Sequence, residues 1–177
     1  MSLPSSSLRP DLCIVLDLDG TLISDKDCSP RPHLAEFLAF CFNRANTVVV
    51  WTAASREHFY EQYKQTLGPI LDSMSCAFHF VYTSEHCRRV SISDGGLMSR
   101  QHATKPLKKI WRSMRRVVTK HNTIVIDDTP LTYKFNYGNA IQIQPFTEND
   151  PSDNELVRMC VEIDKRIKRY DECGSVR

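Results

Sequence analysis

Five short runs rich in β-branched and aromatic residues restrict this chain most: Cys13 to Leu16, Thr47 to Trp51, Phe78 to Tyr82, Thr123 to Ile126 and Ala140 to Ile143. They are mostly continuous in apolar character rather than alternating, as strands covered on both faces are. Helical patterns fill the intervals. After Pro30 and Pro32, the residues Leu34, Phe37, Leu38, Cys41 and Phe42 recur at three-four spacing. A second helix is expected from Ser55 as N-cap to a left-handed stop at Gly68-Pro69. A third starts near Pro106 and turns Leu107, Ile110, Trp111, Met114, Val117 and Val118 inward, with a basic outer face, Lys108 and Lys120 among it, that reads first as solvated surface. The last opens on the capping-box pattern Ser152-Asp153-Asn154-Glu155 and runs through Leu156, Met159, Cys160, Ile163 and Ile167. The alternation predicts an α/β fold with one doubly wound parallel sheet and right-handed crossovers. Its site belongs at the carboxyl ends of the strands, where the strand order reverses.

With 177 residues and 41% hydrophobic content the chain fits one domain with a real core. Lys and Arg number 23 against 21 Asp and Glu, and a net charge of +2 is too small to argue for nucleic acid or an anionic membrane. Seven cysteines with no C-x-x-C pair suit reduced core thiols in a reducing compartment. His79, His86, Cys87 and His102 match no structural-zinc spacing. No apolar run is long enough for a signal peptide or a membrane span, so the expected protein is soluble and intracellular, in nucleus or cytoplasm. Residues 1–10 read as a flexible tail, 11–172 as the domain and 173–177 as a C-terminal tail.

Polar residues collect at the strand tips. The first strand ends Asp17-Leu18-Asp19-Gly20-Thr21-Leu22; alternation points Asp17 and Asp19 the same way and Gly20 permits a sharp exit, although Asp and Gly also serve ordinary turns. Thr52 follows the second strand just before a helix start, a place suited to a phosphoryl oxygen and equally explained by β propensity. Lys105 sits at a loop-to-helix junction, where a cation beside a transferring phosphoryl group is needed. The fourth strand ends in Asp127-Asp128, and hard oxygens from two strand tips are what Mg²⁺ uses beside a substrate phosphate.

The order Asp17-x-Asp19-Gly-Thr, Thr52, Lys105, Asp127-Asp128 resembles the four motifs of the haloacid dehalogenase superfamily phosphatases. Arg31-Pro32-His33-Leu34, Trp51-Thr52-Ala53, Lys105-Pro106-Leu107 with Ile110-Trp111, and Asn122 to Asp128 followed by Asn139-Ala140-Ile141 are similar to the phosphatases of the RNA polymerase II C-terminal domain, especially the branch that also carries a ubiquitin-like domain. The resemblance implies strand order 3-2-1-4-5 without a large cap domain. It further implies Asp17 as nucleophile, Asp19 as acid and base, Thr52 and Lys105 as phosphoryl ligands, and Mg²⁺ between Asp17, the Asp19 carbonyl and Asp127, supported by Asp128. The stretch between Asp17 and Thr52 leaves no room for the β-hairpin insertion of the small members, and no ubiquitin-like domain precedes the first strand, so neither substrate-proline preference nor proteasome association carries over.

Ser84 to Thr104 reads as an irregular stretch carrying Arg88, Arg89, Arg100 and His102. An open site beside it suits a phosphorylated side chain of a protein or peptide better than a small metabolite. The expected enzyme is a phosphoserine/phosphothreonine phosphatase. The alternatives are a phosphatase of nucleic-acid ends or small esters, and a non-catalytic binding module like an import receptor of the same fold.

Overall fold

The computed structural model describes residues 9–93, 99–115, 117–148 and 150–177, with the backbone alone at 9, 10, 92, 93, 99 and 100. Five strands, β1 (Arg9–Leu16), β2 (Ala45–Trp51), β3 (Phe80–Tyr82), β6 (Thr123–Asp127) and β7 (Ala140–Gln142), form one parallel sheet. Its order is β3-β2-β1-β6-β7, which is the expected 3-2-1-4-5 once the expected strands are renumbered. The order reverses at β1, between β2 and β6.

Strand periodicity splits the core into two layers. Leu12, Ile14 and Leu16 of β1, with Val48, Val50, Ile124 and Ile126, pack against α1 (Leu34–Arg44) and α5 (Glu155–Cys173). Cys13 and Val15, with Val49, Trp51 and Val125, pack against Leu107 and Ile110 at α4 (Lys108–Ser113). On α5 the buried residues Leu156, Met159, Ile163 and Ile167 keep the three-four spacing of one helix face.

Several expectations are corrected. The second helix does not stop at Gly68-Pro69. α2 (Arg56–Gln62) widens into a π turn over Tyr63–Leu67 and continues as α3 (Gly68–Ser73), with Gly68 right-handed at φ −58°. Pro69 falls in the first turn of α3, where a missing N–H costs nothing, and a Cβ on Gly68 would lie 2.9 Å from the Tyr63 carbonyl oxygen. The third helix ends at Ser113 because Met114 leaves helical geometry at ψ 43°; Val118 still reaches the core, but Val117 is exposed. Asn122 fixes that turn, accepting from the Thr119 N–H and donating to the Val117 carbonyl. The last helix is capped by Asp153, whose Oδ1 accepts the Glu155 N–H at 3.0 Å, rather than by Ser152.

The stretch read as irregular contains a 3₁₀ turn (Ser84–His86) and a separate antiparallel hairpin of β4 (Arg88–Ser93) and β5 (Ser99–Thr104), with Arg88 paired to Thr104 and Val90 to His102. The N-terminal tail lies outside the described residues up to residue 8, and β1 begins at Arg9. At the other end, Val176 is fully buried and its N–H donates to the His121 carbonyl, so this segment packs back on the domain rather than trailing from it. All seven cysteines are free, and no helix of the described residues is long and apolar enough to cross a membrane.

Candidate active site

The carboxyl ends of β1, β2 and β6 carry the aspartates and Thr52 singled out above, the segment between β5 and α4 carries Lys105, and the fold sets them around one cavity of about 180 Å³. Asp17, Asp19, Thr52, Lys105 and Asp128 line it, with Asp25, Ala53, Thr129 and Thr132. Asp127 lies behind them, fully buried at the end of β6.

Lys105 is the hub. Its Nζ lies 2.6 Å from Asp17 Oδ1 and 2.7 Å from Asp127 Oδ2, with all three side chains buried. The backbone around it is fixed, since the Lys105 N–H donates to the Thr132 carbonyl and the Asn136 amide donates to the Lys105 carbonyl. Burial by itself would lower the Lys105 pKa; the two carboxylates outweigh it and hold the ammonium form firmly. Asp17 Oδ1 also accepts the Leu18 N–H at 2.8 Å, and Asp127 Oδ1 accepts that of Thr129 at 2.9 Å. Both of these Asp17 contacts fall on Oδ1.

Asp19 is held differently. Thr52 Oγ1 donates to its Oδ2 at 2.8 Å, and His58 Nε2 lies 2.5 Å from its Oδ1. The Thr52 hydroxyl in turn accepts the Ala54 N–H at 2.9 Å, which fixes the donor's direction. Gly20, at φ +71°, makes the exit from β1 that the sequence led one to expect, and a Cβ there would sit 2.9 Å from Asp128 Oδ2 and 3.1 Å from both Asp25 carboxylate oxygens.

Sequence reasoning gave no role to three residues, of which only Arg31 stood in a motif it quoted. Asp25 enters because the Gly20 turn folds the chain back beside Asp128 and Asp19. His58, in the first turn of α2, meets Asp19; a histidine three residues after the Ser55 N-cap was the available signal. Arg31 is 1% exposed and grips Asp153 with two bonds of 2.9 and 2.8 Å while its Nη1 reaches the Thr21 carbonyl at 3.2 Å. Its guanidinium also lies over the Phe146 ring, so it ties the loop after β1 to the start of α5. Arg31→Lys keeps the charge and loses the fork, and is expected to cost about 2 kcal/mol in denaturant unfolding. An unchanged midpoint would show that the clamp contributes nothing.

Asp17, Asp127 and Asp128 offer oxygens within 4.8 Å of one another. Such a set, all hard oxygen and crowded against a glycine, fits a small divalent cation such as Mg²⁺. Asp19 stands outside the trio, its carboxylate engaged by Thr52 and His58. Electrostatics agree with the fit: burial, then repulsion from Asp127, pushes Asp17 well above the usual carboxylate range against the pull of Lys105. Burial and then Asp127 raise Asp128, and burial followed by Asp128 and Asp19 raises Asp25.

Raised carboxyl groups bind protons more tightly in the folded than in the unfolded chain, so metal-free stability falls as pH climbs from about 4 through the raised values. Carboxyls shifted downward, such as Asp153, whose burial is outweighed by Arg31, have finished titrating below that window. In chelator the thermal midpoint should decline from about pH 5 to 7, and millimolar Mg²⁺ should raise it most at the upper end. No response to Mg²⁺ at neutral pH would contradict the cation fit.

Comparison with known proteins supplies the family. The family model described as NLI interacting factor-like phosphatase matches residues 12–177. The chain belongs to the NLI interacting factor-like phosphatase family. Among its relatives are proteins named ubiquitin-like domain-containing CTD phosphatase 1, from Xenopus laevis, 29% identical over 172 residues, and from Homo sapiens, 28% identical over 168. These alignments take in 92% and 90% of this chain but 52% and 50% of the relatives, so the chain spans about half the length of the curated relatives it matches. A solved structure titled "The Structure of Fcp1, an essential RNA polymerase II CTD phosphatase" superposes with a TM-score of 0.57 at 15% identity, covering 93% of this chain and 68% of that one. It shows the shared fold. The resemblance to the C-terminal-domain phosphatases within this family, and the single α/β sheet it implies, are thus both found.

Proposed function

We propose that this member of the NLI interacting factor-like phosphatases hydrolyses phosphoserine or phosphothreonine of a protein through an aspartyl-phosphate at Asp17, with Mg²⁺ as cofactor. The observation that carries the reading is Lys105, buried between Asp17 and Asp127 at 2.6 and 2.7 Å on the floor of a cavity that Asp19 also enters. One carboxylate oxygen of Asp17, held by the Leu18 N–H and Lys105, attacks phosphorus while the ester P–O bond breaks, and the other is left for the cation. Asp19 gives its proton to the departing side-chain oxygen. It then takes one from water, whose oxygen attacks the same phosphorus, breaks the bond to Asp17 and releases inorganic phosphate. Lys105 and Thr52 donate hydrogen bonds to the phosphoryl oxygens, for which the Thr52 hydroxyl turns away from Asp19. Asp17, Asp127, Asp128 and the Asp19 carbonyl would hold Mg²⁺, which when bound neutralises charge between the nucleophile and the phosphoryl oxygens.

At about 180 Å³ the cavity is small for enclosing a metabolite and large enough for a phosphoryl group presented on a side chain, which favours a macromolecular substrate. The test is hydrolysis of a phosphoserine peptide and of a phosphorylated oligonucleotide end, each with Mg²⁺ and with chelator. Mg²⁺-dependent turnover of the peptide alone supports the reading; preference for the oligonucleotide, or metal-independent turnover, overturns it.

A further inference from the structure

A second and larger hollow, about 400 Å³, lies between α4 and the segment that links β6 to β7. Four cations surround it, Arg88, Lys108, Lys120 and Arg177, and no acidic side chain is among its lining. None of the four makes an ion pair with a carboxylate among the described residues. In a chain whose charges nearly cancel, that grouping is local and one-signed. The apolar part of the wall is Trp111 and Phe135. The Trp111 indole N–H donates to Thr123 Oγ1 at 3.0 Å, which fixes its ring, whereas Phe135 is 58% exposed.

The hollow adjoins the proposed catalytic cavity. Lys105 lines the cavity and Pro106 lines the hollow; Asn136, on the wall of the hollow, donates its side-chain amide to the Lys105 carbonyl at 2.9 Å. We infer that this hollow binds an acidic segment of the same phosphoprotein whose phosphoserine or phosphothreonine occupies the catalytic cavity. The inference rests on the phosphatase reading for the phosphoryl group and adds the specificity: carboxylate or further phosphate side chains near the scissile residue meet the four cations, and an apolar neighbour meets Phe135. Single-stranded nucleic acid is the poorer match. Such ligands need a basic track along their backbone and open aromatic faces, while here the cations ring one hollow and Trp111 is tied at its edge.

The test compares the native chain with Lys108→Glu combined with Lys120→Glu, two exposed positions away from the catalytic residues. Substrates are a peptide with one phosphoserine followed by a run of aspartates, the same peptide with asparagines, and an aryl phosphate. The charge reversals should raise KM for the aspartate peptide about tenfold, leave its kcat and the aryl phosphate turnover unchanged, and barely affect the asparagine peptide. Equal KM values for both peptides, or no change in the variant, overturn the inference. Fluorescence anisotropy of the labelled aspartate peptide on Asp17→Asn protein, with and without the reversals, reads the hollow independently of turnover. A failed phosphatase reading would still leave charge-dependent binding intact, whereas a failed hollow would not. Tighter charge-dependent binding of a single-stranded oligonucleotide than of the aspartate peptide also overturns it.

Discussion

Asp17→Asn should reduce turnover by about 10⁴-fold or more while leaving the protein folded and, without metal, no less stable than the native chain. The two halves have one cause. Asp17 is nearly inaccessible beside Asp127, and burial with that repulsion already holds its pKa well above the usual range, so the native carboxylate is an electrostatic cost that Lys105 only partly offsets. The amide removes one like charge, keeps an oxygen for the Leu18 N–H and Lys105, and leaves Lys105 paired with Asp127. A nucleophile that lowers stability is a common feature of catalytic sites. Paired turnover and chemical denaturation measurements check both halves. A variant that loses activity because it unfolds would refute the electrostatic account.

In stability, Lys105→Met should behave in the opposite way. The side chain is 3% exposed, so the substitution replaces a fully paired cation with a thioether and leaves Asp17 and Asp127 facing each other without it. Breaking a buried pair on one side costs about 3–5 kcal/mol, and here two carboxylates lose their partner. Turnover should vanish as well, because the phosphoryl oxygens lose their donor. Acid should partly rescue the fold, since protonating either carboxyl removes the repulsion, so the stability deficit should shrink from neutral pH toward about pH 5. A deficit independent of pH would place its cause in packing instead.

The sheet was legible because β1, β2 and β6 each contain an unbroken apolar run, Leu12 to Leu16, Val48 to Trp51 and Ile124 to Ile126, a pattern that strands buried on both faces sustain. Their tips were legible for the same reason: Asp17, Thr52 and Asp127 are the first polar side chains after the three runs, and Asp19 and Asp128 follow closely. The remainder depends on paths that composition does not encode. Asp25 reaches the cavity through one left-handed glycine, and His58 reaches Asp19 through the pitch of a first helical turn. The hairpin of Arg88 to Thr104 pairs two mostly polar strands outside the main sheet, so no hydrophobic alternation announces it. Gly68-Pro69, ordinarily a helix stop, is absorbed by a π turn whose widening no residue count reveals. The basic face expected on the third helix proves shorter than its periodicity, and two of its lysines, Lys108 and Lys120, border the hollow beside the catalytic cavity.

The most direct test of the central claim traps the covalent intermediate. The protein is mixed with phosphopeptide and Mg²⁺, quenched during turnover, treated with borohydride to reduce an acyl phosphate to the alcohol, and sequenced by mass spectrometry. The account predicts homoserine at position 17 and unmodified aspartate at 19, 127 and 128. Turnover with Asp17 recovered intact, or homoserine at another aspartate, would contradict it.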